Sequence, residues 1–395
     1  MIEALLTPKV QKFIRDHEND DPATLMLRAK QFADIHLKEA VEQIQSRKKA
    51  KAKLPTWYLA TDLIYPPPLS LEQSSSSITA EYKASLFTGE KFVDLTGGMG
   101  IDFSFLSKSF KTGFYIERQA NLVEIARHNM KCLGLKSVEF HHTEAEDFLH
   151  QTSEKFDLIF LDPARRGNHD QKVFRIEDCE PNVISMLPLM KAKGRSILMK
   201  TSPLLDIKGA VKDLGGATQV HVVAVNNEVK ELLFIIDAKA NENPIIKAID
   251  LTNTEVHFEF DYSQEQNISL THGCIENYLY EPNVAILKAG AFKSIATQFG
   301  LIKLHVNSHL YTSKMPIAKF PGRSFKVIGE ISLNKKELRK TLPKMKANIT
   351  VRNYPMTVEQ IRKKTGLTDG GDQYIFATTD QGGKKVVLCE KVDQQ

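Results

Sequence analysis

Acidic residues and glycines follow short apolar segments in the middle of the chain, where they can bind a polar ligand. Asp94 ends the segment "KFVD", and a loop from Thr96 to Gly100 with Gly97 and Gly98 follows it. Glycines allow a backbone to approach a ligand closely, and the start of the next helix offers free N–H groups. The spacing therefore indicates a ligand held between the end of a strand and the start of a helix.

Two further apolar segments end in residues that fit parts of the same ligand. Glu117 lies about twenty residues beyond the glycines, where a carboxylate can bind both hydroxyls of a ribose. A nicotinamide dinucleotide would also place an acid there, but Phe103 stands where the third glycine of its G-x-G-x-x-G frame belongs. Glu144 and Ala145 can hold an adenine by its amino group and ring nitrogen. With Arg118 beside Glu117, the strand ends predict a pocket for S-adenosylmethionine (SAM).

The elements that position these residues alternate between strands and helices. Strands are expected at "KFVDLTG", "TGFYIER", "SVEFHHT", "FDLIFLD" and "SILMKTS", and helices at segments such as "ANLVEIARHNMKCLGL". This alternation predicts an α/β fold with a parallel sheet covered by helices. The segments "TQVHVVAVN" and "ELLFIID" are separated only by "NEVK", which is too short for a crossover, so they are expected to form an antiparallel hairpin at one edge.

The two flanks differ in pattern from this central part. Apolar residues three and four apart predict helices in the N-terminal region. After residue 241, "EVHFEFDYS" predicts a strand and "NVAILKAGAFKSIATQFG" a single helix. The tail predicts a small β-α-β-β module in which "DQGG" makes the last hairpin turn.

In order and spacing, "DLTGGMGID", "YIER", "HTEAEDFL", "LDPARR" and "LMKTSP" resemble successive strand ends of class I, Rossmann-like SAM-dependent methyltransferases. The part containing "FPGRSFKV" and "NITVRNYPMTVEQIRKKTGLTDGGDQYIFATT" resembles bacterial methyltransferases that add a ferredoxin-like and a C-terminal THUMP-like domain. The resemblance implies a seven-stranded sheet with a terminal antiparallel hairpin. It also implies a helical region over 1–70, a methyltransferase domain over 71–240, a ferredoxin-like domain over 241–325 and a THUMP-like domain over 326–395. Asp94 would then bind the amino group of SAM.

The stretch "LDPARRG" after the fourth strand lies on the substrate side of such a site. Enzymes that methylate nucleobase nitrogens carry two prolines and an aromatic residue here, whereas this chain has Ala164 and Arg165. For an exocyclic amine, Asp162 and a backbone carbonyl would accept its hydrogens, and Pro163 would stiffen the loop. An ordinary Asx-Pro turn is the structural alternative.

Two arginines take the place of the stacking ring. A guanidinium can stack on a base or clamp a phosphate, so Arg165 and Arg166 suit a nucleic-acid substrate. The alternative is a structural ion pair with Glu177 or Asp178.

Other chemistries remain open. RNA 5-methyluridine enzymes need a cysteine nucleophile after the next strand, where this chain reads "LMKTSP"; Cys179 is nearby, but a packed thiol is its simpler role. Ribose 2′-O-methyltransferases use a Lys-Asp-Lys-Glu set, and the corresponding segments contain Lys83, Asp162, Lys200 and Glu231, or alternatively Glu228. The role of Asp102 is also open, because it matches an Asp of some rRNA guanine methyltransferases and is equally placed to cap a helix.

Basic runs favour RNA, either tRNA or rRNA, as the partner. One run extends from Arg47 to Lys53 and another from Lys335 to Lys346, in a chain with a net charge of +5. Solvated helix surfaces explain such runs equally well. Alternatives are a small-molecule or protein methyltransferase whose tail mediates dimerisation, and a SAM-binding RNA-assembly protein.

The four scattered cysteines predict no disulfide framework and no metal site, and a cytoplasmic protein without membrane association is expected.

Overall fold

The structure, a computed structural model, describes residues 2–165, 176–252 and 257–392. The chain divides into two compact units. The first contains the residues up to Thr218 together with Leu233–Ala240, and the second contains Gln219–Leu232 and the residues from Asn241 onward.

Helices form the N-terminal part of the first unit, as the periodicity predicts. Thr7 and Asp21 accept hydrogen bonds from backbone N–H groups of the following turn, and a proline follows each cap, so helices begin there. Leu25, Ala40 and Ile44 are fully buried in their common core. The helices are α1 (Ile2–Leu5), α2 (Pro8–Asp16), α3 (Pro22–Leu27), α4 (Leu37–Lys53), α5 (Pro55–Leu59), α6 (Pro68–Gln73) and α7 (Ser77–Ser85).

The basic run of the N-terminal region forms the end of α4. Arg47 donates to Glu18 at 3.2 Å, Lys48 donates to the Asp20 carbonyl oxygen at 2.6 Å, and Lys49 pairs with Glu72. Much of the charge of this run therefore contacts groups of the same unit.

A parallel sheet forms the centre of the first unit. Strand β1 pairs in parallel with β2 and β4, β2 pairs with β3, and β4 pairs with β7, which confirms the predicted arrangement. The strands of the first unit's sheet are β1 (Gly89–Asp94), β2 (Phe110–Glu117), β3 (Val138–His142), β4 (Phe156–Leu161) and β7 (Gly194–Thr201), and β5 (Ala164–Arg165) and β6 (Cys179–Glu180) form a separate pair. Next along the chain come β8 (Gln219–Val225), in the second unit, and β9 (Glu228–Ile236), whose residues from Leu233 onward return to the first unit. The helices between them are α8 (Ile101–Leu106), α9 (Ala120–Cys132), α10 (Ala145–Gln151), α11 (Val183–Lys193) and α12 (Ile207–Asp213).

Strands β8 and β9 form the predicted hairpin with a tighter turn than "NEVK" suggests. Asn226 and Asn227 connect them with φ angles of 52° and 56°, as a two-residue type I′ turn requires. In the second unit, β10 (Ile245–Asp250) pairs in parallel with β8, and β11 (His257–Phe260) pairs antiparallel with β10. The expectation that the hairpin lies at the edge was therefore wrong, because two strands beyond the expected seven follow β8.

A second, seven-stranded sheet completes the second unit, in the order β13-β14-β12-β15-β18-β17-β16. Its last part is the predicted β-α-β-β module, with Asp380 paired to Gly383 across the hairpin turn. The strands are β12 (Tyr278–Pro282), β13 (Ile302–Lys303), β14 (Tyr311–Ser313), β15 (Gly322–Glu330), β16 (Asn348–Val351), β17 (Gln373–Asp380) and β18 (Gly383–Val392). The helices are α13 (Tyr262–Asn267), α14 (Val284–Ala289), α15 (Ser294–Phe299), α16 (Lys335–Thr341) and α17 (Val358–Thr365).

The single helix predicted over "NVAILKAGAFKSIATQFG" is two helices. Gly290 adopts a φ of 81° and ends α14, because a left-handed residue cannot continue a right-handed helix. None of the helices in the described part of the chain has both the length and the apolar content needed to cross a membrane.

Candidate functional site

The predicted cofactor loop connects β1 to α8. Gly98 and Gly100 adopt φ angles of 53° and 77°, which favour glycine. A Cβ on Gly100 would lie 2.5 Å from the Met130 methyl group, whereas one on Gly98 would approach only the Thr96 carbonyl oxygen, at 3.7 Å. Gly100 is therefore required by backbone conformation and internal packing, and space beside the loop opens at Gly98.

A cavity of about 420 Å³ lies beside this loop in the first unit. The sequence-predicted residues that line it are Asp94, Thr96, Gly97, Gly98, Gly100, Asp162 and Lys200. Residues that the sequence did not indicate also line it, including Gln119 and Leu122 from the start of α9 and Pro66, Pro67 and Ser70 upstream of the sheet. The structure thus brings the cofactor loop and the substrate-side loop to one cavity.

Asp94 is a buried carboxylate that can bind a cation. Its Oδ1 accepts hydrogen bonds from the Thr96 N–H at 2.9 Å and from the Thr96 hydroxyl at 3.3 Å. Burial, together with the nearby carboxylates of Asp102 and Asp162, raises the pKa of Asp94 to about 8. A positively charged group in the cavity would favour the ionised form. SAM carries both an ammonium and a sulfonium, so this donor set fits it.

Thr96 connects the two loops. The backbone N–H of Asp162 donates to the Thr96 hydroxyl oxygen at 2.7 Å, and the N–H of Leu95 donates to the Phe160 carbonyl oxygen at 3.0 Å. The end of β4 is therefore held against the cofactor loop.

A cluster of charged side chains, Lys83, Asp102, Asp162 and Lys200, lies at the wall of the cavity. Lys200 Nζ lies 2.6 Å from Asp162 Oδ2 and 3.1 Å from Asp102 Oδ2, and Lys83 Nζ lies 3.3 Å from Asp102 Oδ1. Ser75 donates its hydroxyl to Asp102 at 2.8 Å. Burial disfavours an ionised Asp102, but Lys200 and Lys83 outweigh it and lower the pKa of this carboxyl well below its usual range.

The capping role considered for Asp102 is wrong. Residue 100 is the N-cap of α8, with no side-chain cap, and Asp102 lies in the first turn with its carboxylate in the charged cluster. The sequence signal for this cluster was the set Lys83, Asp162 and Lys200, which the structure brings together. Glu231 is buried and lies in the part of β9 that belongs to the second unit. The Glu228 carboxylate pairs with Lys230 Nζ at 2.7 Å.

The residues predicted to hold ribose and adenine have other contacts. Glu117 accepts hydrogen bonds from the N–H groups of Gly98 at 3.0 Å and Gln119 at 2.9 Å, so it braces the cofactor loop. Arg118 pairs with Glu180. Glu144, Ala145, Glu117 and Arg118 are not among the described residues that line the cavity, and their cofactor roles stay predictions.

On the substrate side, Asp162 keeps 41% of its side chain exposed, while the adjacent Pro163 is buried. Residues 164 and 165 form β5, which pairs antiparallel with β6. The side chain of Arg165 and the whole of Arg166 lie outside the described residues. Cys179 is buried in β6. Within 2–165, 176–252 and 257–392 no group of His, Cys, Asp and Glu side chains is arranged to hold a metal ion.

Three family models match the chain. A ferredoxin-like domain matches residues 278–321, a THUMP domain-like model matches residues 322–391, and a model described as conserved hypothetical protein 95 matches residues 76–177.

Similar proteins are methyltransferases. A crystal structure of a proposed methyltransferase from Porphyromonas gingivalis W83 is 35% identical, with 99% of this chain and 98% of that chain covered and a TM-score of 0.87. An uncharacterised RNA methyltransferase from Mycoplasma mobile is 30% identical over 98 residues, and a proposed cobalt-precorrin-6B C(15)-methyltransferase from Sulfolobus acidocaldarius is 28% identical over 92 residues. These matches cover 25% and 22% of this chain, and 27% and 48% of the two relatives. The chain belongs to the methyltransferase family that joins a Rossmann-like domain to ferredoxin-like and THUMP-like domains.

Proposed function

We propose that this protein transfers a methyl group from SAM to a base nitrogen of tRNA or rRNA. The observation that carries the proposal is the position of Asp162. Its carboxylate is exposed at the wall of the same cavity as Asp94, and its backbone is bonded to Thr96 of the cofactor loop.

On the cofactor side, Asp94 and the loop to Gly100 would bind the cationic methionine end of SAM, and Glu117 keeps this loop in place through the Gly98 N–H. SAM supplies a methyl group activated for in-line displacement. The protein must then hold the acceptor nitrogen about 3 to 3.5 Å from that methyl carbon.

On the substrate side, Lys200 Nζ pairs with Asp162 Oδ2 at 2.6 Å and fixes the orientation of the carboxylate. The other oxygen, Oδ1, remains to accept an N–H of an exocyclic amine and to direct the nitrogen lone pair toward the methyl carbon. Asp102 and Ser75 contact Lys200 in turn, at 3.1 and 3.2 Å, and so hold the ammonium beside Asp162. A residue acting in this way positions the acceptor and needs no proton transfer of its own.

Two sequence similarities of this chain support RNA as the substrate class. The curated relative from Mycoplasma mobile is named an RNA methyltransferase, and residues 322–391 match a THUMP domain-like model. An RNA substrate is also consistent with a cytoplasmic location.

Ribose 2′-O methylation is a second candidate, because Lys83, Lys200 and Asp162 meet in one cluster. A lysine that deprotonates a hydroxyl must give up its proton, which arginine cannot do. Lys200→Arg therefore separates the two reactions: ribose methylation would be abolished, whereas base methylation would retain part of its rate because the cation beside Asp162 is kept.

The proposal is tested by analysing the modified nucleosides of total RNA from a strain that lacks the protein. One methylated base should be missing, and wild-type protein should restore it whereas Asp162→Ala should not. Asp147→Ala, which removes an exposed carboxylate from α10, is the matched control and should restore it fully. An unchanged nucleoside profile in the deletion strain would refute RNA methylation, and a missing 2′-O-methylated nucleoside would establish the second candidate.

A further inference from the structure

The net positive charge of the chain arises from residues 335–372. This segment contains ten Lys and Arg and four Asp and Glu, a net charge of +6, whereas the whole chain carries +5. All other residues together are therefore close to neutral, at −1. The segment that makes the protein basic comprises α16, β16, α17 and the loops between them.

Three parts of this segment meet at one loop, residues 366–371. Helix α16 packs against α17, and Lys335 at the start of α16 lies beside Gly366 at the end of α17, with Cε 3.2 Å from where a Cβ on Gly366 would be. The Thr368 N–H donates to the Met345 carbonyl oxygen at 3.0 Å, which places the loop beside residues 344–346. The last turn of α17, next to the same loop, is basic too.

Eight of the cations are exposed and take part in no ion pair within the described part of the chain. We call this set the basic face; its members are Lys335, Lys336, Arg339, Lys340, Lys344, Lys346, Lys363 and Lys364. The run at the end of α4 differs, since Lys49 pairs with Glu72 and Lys48 and Lys53 donate to backbone carbonyls of the same unit. Unpaired cations on a fixed surface are suited to a polyanion.

The chemistry of the segment favours nucleic acid over a lipid surface. Leu338 of α16 and Leu342, which follows the helix, are buried in one cluster with Ile361 of α17, so the apolar side of α16 is already used within this part of the protein. Among the described residues, no large apolar side chain of residues 335–372 is exposed. A helix that lies on a membrane inserts an apolar face between the lipids, whereas a phosphate backbone requires only positive charge and hydrogen-bond donors.

We infer that the basic face binds the phosphate backbone of the RNA substrate. The inference rests on the proposed function for the identity of the polyanion. Because phosphate contacts do not depend on sequence, the basic face supplies affinity, and the choice of the target nucleotide belongs to the cavity beside Asp162.

The test compares two full-length variants that each lose three positive charges. One is Lys336→Gln, Lys340→Gln and Lys344→Gln in the basic face; the other, the matched control, is Lys48→Gln, Lys49→Gln and Lys53→Gln at the end of α4. Binding of end-labelled bulk tRNA and of rRNA is measured by filter retention at several salt concentrations. Each lost phosphate contact lowers the slope of log K against log salt by about 0.7 to 0.9, so the basic-face variant should show a slope shallower by about 2 to 3.

The basic-face variant should bind RNA about 10- to 100-fold more weakly at 0.1 M salt, and the control variant about as tightly as wild type. Replacing the same three lysines by arginine should preserve binding, which excludes a folding defect as the cause of the loss. Unchanged binding and slope in the basic-face variant, or loss in the control variant alone, would overturn the inference. So would binding to vesicles of phosphatidylserine and phosphatidylcholine in the absence of RNA binding.

The methyl-transfer assay separates this inference from the proposed function. If wild type methylates RNA while the basic-face variant binds and methylates normally, the inference fails and the proposed function stands. If wild type binds RNA through the basic face but methylates none, the proposed function fails and the surface assignment stands.

Discussion

Replacing Asp94 by Asn should stabilise the ligand-free protein although it removes a residue of the proposed cofactor site. Burial raises the pKa of Asp94 from the ordinary 3.8 to about 8. The unfolded chain therefore loses this proton from about pH 4 upward, while the folded protein keeps it until about pH 8. Below pH 4 Asp94 is protonated in both states and does not lower the free energy of unfolding. As the pH rises from 4 to 8 only the unfolded chain ionises, and the free energy of unfolding falls.

The two pKa values of Asp94 set the size of the effect. They give a cost in folding free energy of about 2 kcal/mol at pH 5, about 4 kcal/mol at pH 7 and about 5 kcal/mol at pH 8. Asparagine keeps an oxygen that can accept the Thr96 N–H and does not titrate. Asp94→Asn should thus raise the unfolding free energy at pH 7 by up to about 4 kcal/mol, which corresponds to about 5 to 8 °C in Tm for a protein of this size.

The assay is denaturant-induced unfolding of wild type and Asp94→Asn at several pH values between 5 and 8. The decisive quantity is how the difference in unfolding free energy between Asp94→Asn and wild type changes with pH. Any effect of the amide on packing adds the same amount to this difference at every pH. SAM should stabilise wild type and not the variant, since its cationic groups would need the ionised carboxylate. A difference that does not grow between pH 5 and 8 would refute the assignment of a retained proton to Asp94.

Three other substitutions test the geometry of the site. Asp102→Asn should destabilise the protein by about 3 to 5 kcal/mol, because it removes the buried carboxylate charge that both Lys83 and Lys200 contact, and the same unfolding experiment at pH 7 measures it. Gly100→Ala should cost about 1 to 3 kcal/mol through its φ of 77° and the Met130 contact, and more than Gly134→Ala, whose φ of 75° is similar but whose surroundings are open. Arg165→Lys should weaken RNA methylation at low substrate concentration more than at saturation if the guanidinium plane is used, and equal rates at all concentrations would contradict this.

The parts of the fold that repeat a local pattern were predictable from the sequence. The strands ending at Asp94, Glu117 and Leu161 are marked by apolar runs, and their parallel order follows from the helices between them. The break at Gly290 was missed because the apolar spacing continues across it, and only the backbone conformation shows that the helix ends. Strand β10 was missed because its pairing with β8 depends on residues distant in sequence.

In the candidate site too, local motifs were predictable from the sequence, whereas contacts between distant segments were not. The loop from Thr96 to Gly100 and the carboxylate of Asp162 are local motifs, and the structure brings them to one cavity. The contact of Asp102 with two lysines depends on three segments that only the folded chain brings together. Glu117 shows the opposite case: its spacing fits a ribose, but the Gly98 N–H competes for the same carboxylate.

Strand β9 limits how the protein can be divided. The chain enters the second unit at Gln219, returns to the first at Leu233 and leaves it again after Ala240. A truncation after residue 240 would keep β8 but remove β10, exposing a row of backbone N–H and C=O groups prone to aggregation. The residues up to 240 therefore depend on β10 to cover the backbone of β8. Loss or exchange of the C-terminal domains in evolution would require another segment to pair with β8.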